Sequence, residues 1–293
     1  MKWRPRRRGS DVIDRRGQGF GGGGGLPIGM GAGLGIPGLI ILVLFMFLSN
    51  RGGGGGFDVD SPLDDLGGAQ APAGSGSEPQ GDDRLFEFTE FVVGDVQDFW
   101  EDSFRQSGKT YQRSEMVVFE GGTQSQCGGA SSQIGPHYCP PDQRIYIDLS
   151  FFRELRSRFG APGDFAQAYV IAHEVGHHVQ NLLGINQQVR NQQESNPDDA
   201  NELSVRLELQ ADCFAGVWAF TVYERDIEQS GDLDEGLDAA AAVGDDRIQK
   251  QAGQNVNPES WTHGSAAQRQ RWFKQGFENG DPNECDTFSV DEV

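Results

Sequence analysis

The sequence predicts a mainly helical α+β fold with a small sheet, preceded by one transmembrane helix and a flexible linker. Two long stretches, 164–183 and 199–225, carry apolar residues at the spacing of amphipathic helices. Residues 143–149 alternate Ile and Tyr with polar residues, which is the two-residue period of a half-buried strand. Residues 34–48 are densely apolar and carry no charge, which suits a membrane segment.

The N-terminal region has the features of a membrane anchor. Residues 1–16 contain seven Lys or Arg against two acids, and no charged residue occurs from 17 to 50. Extended back to Leu26, the apolar stretch is long enough to cross a bilayer, so we predict a transmembrane helix at 26–49. A cleaved signal peptide and a buried helix of a soluble domain are the alternatives, but a signal peptide normally ends at small residues before its cleavage site. Because basic residues favour the cytoplasmic side, residues 1–25 are expected to be a cytoplasmic tail.

The chain after Arg51 is strongly acidic, with 16 Lys or Arg against 42 Asp or Glu. Such a surface disfavours nucleic acids, so nucleic acid is not an expected partner. Residues 50–83 are rich in Gly, Pro, Ser, Ala and Asp, which predicts a flexible linker. Residues 84–293 are then expected to form one extracytoplasmic domain, large enough to bury a core. The sequence does not indicate an oligomeric state.

All four cysteines follow the predicted span, at Cys127, Cys139, Cys213 and Cys285. An even number in an oxidising compartment suggests two disulfides. Cys127 with Cys139 would close a short loop, and Cys213 with Cys285 would tie a helix to the C-terminal residues. Three pairings are possible, and the sequence does not choose among them.

The stretch His-Glu-Val-Gly-His at 173–177 has the spacing of a metal site on a helix. Positions i and i+4 share one helix face, so His173 and His177 can bind one cation. Glu174 then stands beside the metal, where it can take a proton from a metal-activated water and pass it to a leaving amine. The pattern therefore predicts a zinc hydrolase site with Glu174 as general base.

A chance match is the alternative, and the helical context argues against it. Asp164 is a candidate N-cap, and Gly184 is a natural helix stop. His178 neighbours the motif but points about 100° away around the helix. We interpret His178 as a packing or hydrogen-bonding histidine.

A catalytic zinc usually has three protein ligands, so a third is needed downstream. Glu208 and Asp212 lie one helical turn apart in the second predicted helix, so Glu208 can bind the metal while Asp212 accepts a hydrogen bond from a ligand histidine. The alternative is that both are solvent-facing acids. Their neighbours argue against it, since these are mostly apolar: Leu207, Leu209, Ala211, Cys213 and Phe214. Glu202 is the rival ligand, although its neighbours resemble a helix start.

Residues 261–269 precede a predicted closing helix and contain His263. A histidine aimed at the carbonyl oxygen of an amide would stabilise the negative charge that develops during hydrolysis. The alternative is that Thr262 or Ser265 caps the helix and His263 is structural. Upstream, the strand at 143–149 could hold an extended peptide along an exposed edge. An ordinary sheet strand is the alternative for that segment.

These motifs resemble those of the bacterial putative neutral zinc metallopeptidase family. The resemblance rests on residues 10–17, 127–128, 135–140, 146–152, 163–180 and 208–213. It implies a membrane-tethered, zincin-like domain with Glu208 as third ligand, similar to the gluzincin branch. Residues 262–269 are more loosely similar to the His-and-Arg segment of membrane zinc endopeptidases of the CAAX-processing type. Gly264 stands where those enzymes would place proline.

The sequence thus predicts a zinc-dependent endopeptidase that binds one Zn²⁺ and acts on extracytoplasmic proteins or peptides. Its predicted membrane contact is the single N-terminal span. The alternative is a zinc-stabilised, membrane-tethered binding or assembly factor without turnover. Glu174 argues against that alternative, because a structural zinc needs no base and is usually closed by a fourth ligand. The sequence indicates no particular substrate.

Overall fold

The computed structural model of the protein describes residues 1–5, 11–18, 80–131 and 134–293. The predicted transmembrane helix at 26–49 and nearly all of the predicted linker lie outside these residues. Among the described residues, no helix combines the length and the hydropathy that crossing a bilayer requires.

The described part of the chain is mainly helical with small sheets, as predicted. Its α-helices, in chain order, are α1 (Gln80–Gln106), α2 (Ser150–Ser157), α3 (Asp164–Leu182), α4 (Ile185–Ser195), α5 (Ala200–Glu224), α6 (Asp232–Ala242), α7 (Asp245–Gln251) and α8 (Ala266–Asn279). Its strands are β1 (Val12–Asp14), β2 (Glu115–Phe119), β3 (Gly122–Ser125), β4 (Gly128–Ser131), β5 (His137–Cys139) and β6 (Arg144–Asp148). The two long predicted helices correspond to α3 and α5.

The main sheet has the strand order β1-β2-β6-β5. Strands β1, β2 and β6 run parallel, and β5 runs antiparallel to β6. Strand β6 is the predicted strand, and it lies between β2 and β5. It is therefore an ordinary sheet strand, and the possibility that it offers an exposed edge is excluded. Both of its faces are covered, since Ile145, Tyr146 and Ile147 are all buried. On that side of the sheet the edge strand is β5.

Two disulfides, one closing a short loop and one a long loop, fasten elements of the domain together. Cys127 pairs with Cys139 and fastens the loop between β3 and β4 to β5. Cys213 pairs with Cys285 and fastens α5 to the C-terminal residues. Of the three possible pairings, the structure contains the one that closes the shortest loop.

Helices α3, α5 and α8 form the centre of the helical core, and glycines bring them close together. A Cβ atom added to Gly216 of α5 would stand 2.0 Å from the backbone oxygen of Phe273 in α8. One added to Gly276 of α8 would stand 2.0 Å from the backbone oxygen of Cys213. The two helices therefore pack backbone against backbone, which fixes α8 relative to the residues that α5 presents.

Residues 1–5 and 11–18, here called the N-terminal segment, pack against the domain. Trp3 lies 5.3 Å from Phe88 of α1, measured between ring centroids, and β1 pairs with β2. The Met1 amine donates to Asp164 at the start of α3, at 2.9 Å. The segment is thus part of the folded body that the structure describes.

Candidate metal centre

The predicted His-Glu-Val-Gly-His motif at 173–177 lies on helix α3, which is buried in the core. Every residue from Phe165 to Gln180 is buried, because α3 is packed against α1, α5 and α6. The helix begins at Asp164, so the N-cap is Gly163 rather than Asp164 as predicted. Gly184 follows the helix in the left-handed conformation, at φ 78°, in agreement with its predicted role as a stop.

Helix α5 brings Glu208 to the two histidines of the motif. The Glu208 Oε2 atom lies 3.2 Å from Nε2 of His173, and its Oε1 atom lies 3.4 Å from Nε2 of His177. The two imidazole rings are nearly perpendicular, at 87°, with centroids 4.7 Å apart. One candidate ligand atom from each residue lies within 4.8 Å of the others, and all three residues are buried. These are the donor types and the spacing that a zinc ion requires.

Gly176 explains how α3 and α5 approach each other at this point. A Cβ atom there would lie 3.1 Å from the backbone oxygen of Ala211 and 3.2 Å from its Cα atom. Gly176 stands between the two histidines on α3, and Ala211 stands between the two acids on α5. The small residues of both motifs therefore bring their polar neighbours together.

Asp212 lies behind His173, as predicted, and forms the centre of a buried charge network. His173 donates from Nδ1 to Asp212 Oδ1 at 2.8 Å. Arg269 of α8 donates to both Asp212 oxygens, at 2.8 and 2.9 Å, and the Tyr169 hydroxyl also donates to Asp212. Since Nδ1 is used in this way, Nε2 is the ring atom of His173 that faces Glu208, and it is the atom available to a metal ion.

His177 has a neutral partner instead. Its Nδ1 atom donates to the Gln180 side-chain oxygen at 2.9 Å. The Gln180 amide donates in turn to the backbone oxygen of Leu207 and to Gln210, and Gln210 donates to the backbone oxygen of Cys285. This chain of amides also leaves Nε2 of its histidine directed at Glu208.

The electrostatics of the cluster favour a cation. Burial raises the pKa of Glu208, but the facing His177 and His263 outweigh it and hold that pKa well below its usual range. Burial lowers the pKa of His173, but Asp212 and Glu208 outweigh it and raise that pKa to about 9. The negative potential that attracts a proton to His173 attracts a metal ion equally, so metal and proton compete there.

Glu174 is buried beside this cluster but does not belong to the ligand trio. Its Oε2 atom has no hydrogen-bond partner among the described residues. A buried carboxylate oxygen without a donor is costly, which marks it as a group that awaits a partner such as a water molecule.

His263 lies on the loop before α8, within electrostatic reach of Glu208. Burial lowers the pKa of His263, while the charges of Glu208 and Asp245 raise it above its ordinary value. Asp245 holds the loop, because one of its oxygens accepts the backbone N–H groups of Thr262, His263 and Gly264. Its other oxygen lies 3.4 Å from Nδ1 of His263. Ser265 caps α8 in a capping box with Gln268, which confirms the capping role that the alternative for this segment gave to Thr262 or Ser265.

Gly264 has a structural reason for standing where proline occurs in the loosely similar enzymes. It adopts φ 86°, a left-handed conformation that proline cannot reach. Gly264 therefore allows this loop a backbone conformation that proline would not.

Two further residues lie away from the site. Glu202 is exposed and forms an ion pair with Arg206 at 2.8 Å, so it does not join the histidines. His178 is fully buried, accepts a hydrogen bond from the Tyr138 hydroxyl and donates to the backbone oxygen of Gln112. It is a hydrogen-bonding core residue, in line with its interpretation from the sequence.

The sequence did not predict the roles of three residues at the site. Tyr169 and Arg269 contact Asp212, and Gln180 contacts His177. Helical spacing carries a signal for two of them, since Tyr169 precedes His173 by four positions and Gln180 follows His177 by three. Arg269 lies far along the chain, and only the packing of α8 on α5 reveals its role.

Two histidines of an H-E-x-x-H helix and a glutamate from a second helix define a candidate zinc centre of the metallopeptidase class. The chain belongs to the family described as Putative neutral zinc metallopeptidase, whose family model matches residues 1–288. The uncharacterized protein YpfJ of Escherichia coli K12 is 50% identical over 208 residues, which cover 71% of this chain and 72% of YpfJ. The uncharacterized protein Rv2575 of Mycobacterium tuberculosis is 50% identical over 191 residues, or 61% of this chain and 64% of Rv2575. No solved structure matches the chain.

Proposed function

We propose that this protein is a zinc-dependent endopeptidase with a zincin-like domain that hydrolyses extracytoplasmic proteins or peptides. His173, His177 and Glu208 would hold one zinc ion, and Glu174 would act as the general base. The observation that carries the proposal is the buried Oε2 atom of Glu174, which has no hydrogen-bond partner in the described part of the chain and lies beside a three-residue donor set. A structural metal site has no use for such a group.

Zinc, when bound, would supply a Lewis acid that lowers the pKa of water and polarises a carbonyl group. Glu174 would accept a proton from the attacking water and donate it to the leaving amine. Asp212 and Gln180 would hold the imidazoles of His173 and His177 in the tautomer that leaves Nε2 free. His263 would donate a hydrogen bond to the carbonyl oxygen as its negative charge develops.

The sheet offers a place for an extended substrate. Strand β5 is an edge strand and lies against α3, where the Tyr138 hydroxyl contacts His178, the neighbour of His177. An extended peptide can pair with such an edge through backbone hydrogen bonds. This arrangement supports a peptide rather than a small ester or amide as substrate. The two disulfides support an oxidising, extracytoplasmic compartment for the domain.

The test is cleavage of a peptide library by the purified full chain, read by mass spectrometry together with the zinc content of each sample. The variants are Glu208→Gln, which loses a ligand, and Glu202→Gln, a matched change on the same helix. We expect the wild type and Glu202→Gln to bind one zinc and cleave the same peptides, and Glu208→Gln to lose both properties. A wild type that binds zinc but cleaves nothing would overturn the proposal in favour of a zinc-stabilised binding factor. Equal loss in both variants would overturn the ligand assignment.

A further inference from the structure

The N-terminal segment continues the sheet of the domain. Strand β1 runs parallel to β2, in a register that places Val12 beside Met116 and Ile13 beside Val117. Two backbone hydrogen bonds extend the ladder, from Met116 to Asp11 and from Arg15 to Val118, both at 2.7 Å. Without β1, the buried strand β2 would be an edge strand with these backbone groups unpaired.

Side chains reinforce the same contact. Arg113 donates to the Asp11 carboxylate at 2.6 Å and also contacts Asp98 and Glu101 of α1. Arg15 donates to the Thr123 hydroxyl at 3.0 Å. Basic and acidic residues of the segment therefore meet partners on the domain.

A second group of contacts reaches the helix that carries the metal motif. The Met1 amine donates to Asp164, the first residue of α3, and to Asp232, the first residue of α6. The backbone N–H of Lys2 donates to the backbone oxygen of Ile227 at 2.6 Å. Trp3 packs on the Phe88 and Phe91 rings of α1. The segment thus holds the starts of two helices as well as the sheet edge.

From these contacts we infer that the N-terminal segment is a structural part of the domain, and that both lie on the same side of the membrane. Paired strands stand about 4.8 Å apart. The hydrocarbon core of a bilayer is about 30 Å thick. A cytoplasmic tail at residues 1–25 and an extracytoplasmic domain would therefore require every one of these contacts to be absent.

The basic residues of the opening also have contacts on the domain. In the sequence they indicate topology, because free cations near a span stay in the cytoplasm. Arg15 donates to Thr123, and the Arg16 guanidinium lies 4.2 Å from the centroid of the Phe86 ring. These cations contribute to docking. The inference is independent of whether the domain hydrolyses peptides.

Compartment is tested by labelling single cysteines in intact cells with a membrane-impermeant maleimide. The positions are Arg4→Cys in the segment and Asp198→Cys in the domain, both exposed. The wild type is the blank, because its four cysteines are paired in disulfides, and permeabilised cells give total labelling. We expect the two positions to label alike, with the same ratio of intact to permeabilised signal. Labelling of one position in intact cells and of the other only after permeabilisation would overturn the inference.

Docking is tested on the purified full chain by disulfide trapping. The pair Val12→Cys with Met116→Cys is in register, and Val12→Cys with Val118→Cys is the control shifted by two residues. Paired strands place the in-register Cα atoms within the range that a disulfide spans, and the shifted pair beyond it. We expect the in-register pair to crosslink at least several times more completely. Equal crosslinking of both pairs, or none of either, would show that β1 does not dock on β2.

Discussion

The two histidines of the candidate metal centre face the same glutamate but have different support behind them. His173 donates a hydrogen bond to Asp212. Asp212 also accepts hydrogen bonds from Arg269 and Tyr169, and all four residues are buried. His177 donates to the neutral amide of Gln180. Both arrangements fix the tautomer, yet only the first places a full negative charge next to the imidazole.

The charged partner of His173 and the neutral partner of His177 contribute differently to the site. A carboxylate raises the basicity of an imidazole and strengthens its bond to a metal, but a buried carboxylate is stable only with a cation beside it. Arg269 supplies that cation from α8, so the His173 side depends on the packing of α8 on α5. The amide chain behind His177 needs no counter-charge and depends mainly on α3 and α5.

Between the two supports, the larger loss of stability and zinc affinity is expected from Asp212→Asn. The change leaves Arg269 buried without its carboxylate, and breaking such a pair costs about 3–5 kcal/mol of the free energy of unfolding. Zinc affinity should also fall by about 10–100-fold, because His173 loses its charged partner. Urea unfolding and zinc titration measure the two effects.

Asp226→Asn, at an exposed ion pair with Lys2, is the control for Asp212→Asn. A loss no larger than that of the control would show that the charge network does not support the site.

Acidification should weaken zinc binding, and it tests the charge behind His173 directly. The pKa of His173 is raised to about 9 in the metal-free protein, so a proton occupies this residue below that pH and zinc must displace it. Affinity should therefore fall as pH decreases below about 9, by up to about tenfold per pH unit for one displaced proton. In Asp212→Asn, which lowers that pKa, the fall should begin at a lower pH. Competition titrations with a chelator from pH 6 to 10 measure both curves, and identical curves would contradict this account.

Gln180→Ala should have a smaller effect. It removes the acceptor of His177 and leaves a buried N–H group unpaired, which costs about 1–3 kcal/mol of the free energy of unfolding. Zinc affinity should fall by about tenfold, the lower end of the range for such partners. The same unfolding and titration experiments apply. If Gln180→Ala weakened zinc binding more than Asp212→Asn, the ranking of charged over neutral support would be wrong.

His263→Ala should change zinc affinity less than Gln180→Ala does, because His263 supports neither ligand histidine and acts on Glu208 only through its charge. Under the proposed function it should lower kcat by about 10²–10³, as loss of an oxyanion donor does. Zinc titration and peptide hydrolysis on the same samples separate the two roles. A drop in zinc affinity as large as that of Gln180→Ala would assign His263 to metal support instead.

The three predicted ligand residues come together in the structure, and the sequence could predict this because each part of the pattern is local. The i, i+4 spacing of His173 and His177 and the apolar surroundings of Glu208 are visible in short stretches of chain. Arg269 and Gln180 were missed for different reasons. Arg269 acts through the contact of two helices that are far apart in sequence. Gln180 stands at the helical spacing of a hydrogen-bond partner of His177, but its side chain is neutral and gives no charge pattern that would identify it.

The sheet and the N-terminal segment show where local patterns fail. The alternation at 143–149 predicted β6 correctly, but the position of a strand within its sheet depends on pairing with distant strands. Strand β1 has only three residues, Val12–Asp14, and meets β2 across about 100 positions of sequence. Nothing in so short a stretch indicates a strand, whereas the neighbouring cations strongly suggest a cytoplasmic tail.

The measurement that tests the central claim most directly is the turnover of Glu174→Gln at full zinc occupancy. Glu174 is not among the ligands, so the variant should bind one zinc with the affinity of the wild type. Its hydrolysis of library peptides should fall by at least about 10²–10⁴-fold, the contribution of a general base. Unchanged zinc binding with unchanged hydrolysis would contradict the account, because the buried carboxylate beside the donor set would then have no part in the reaction.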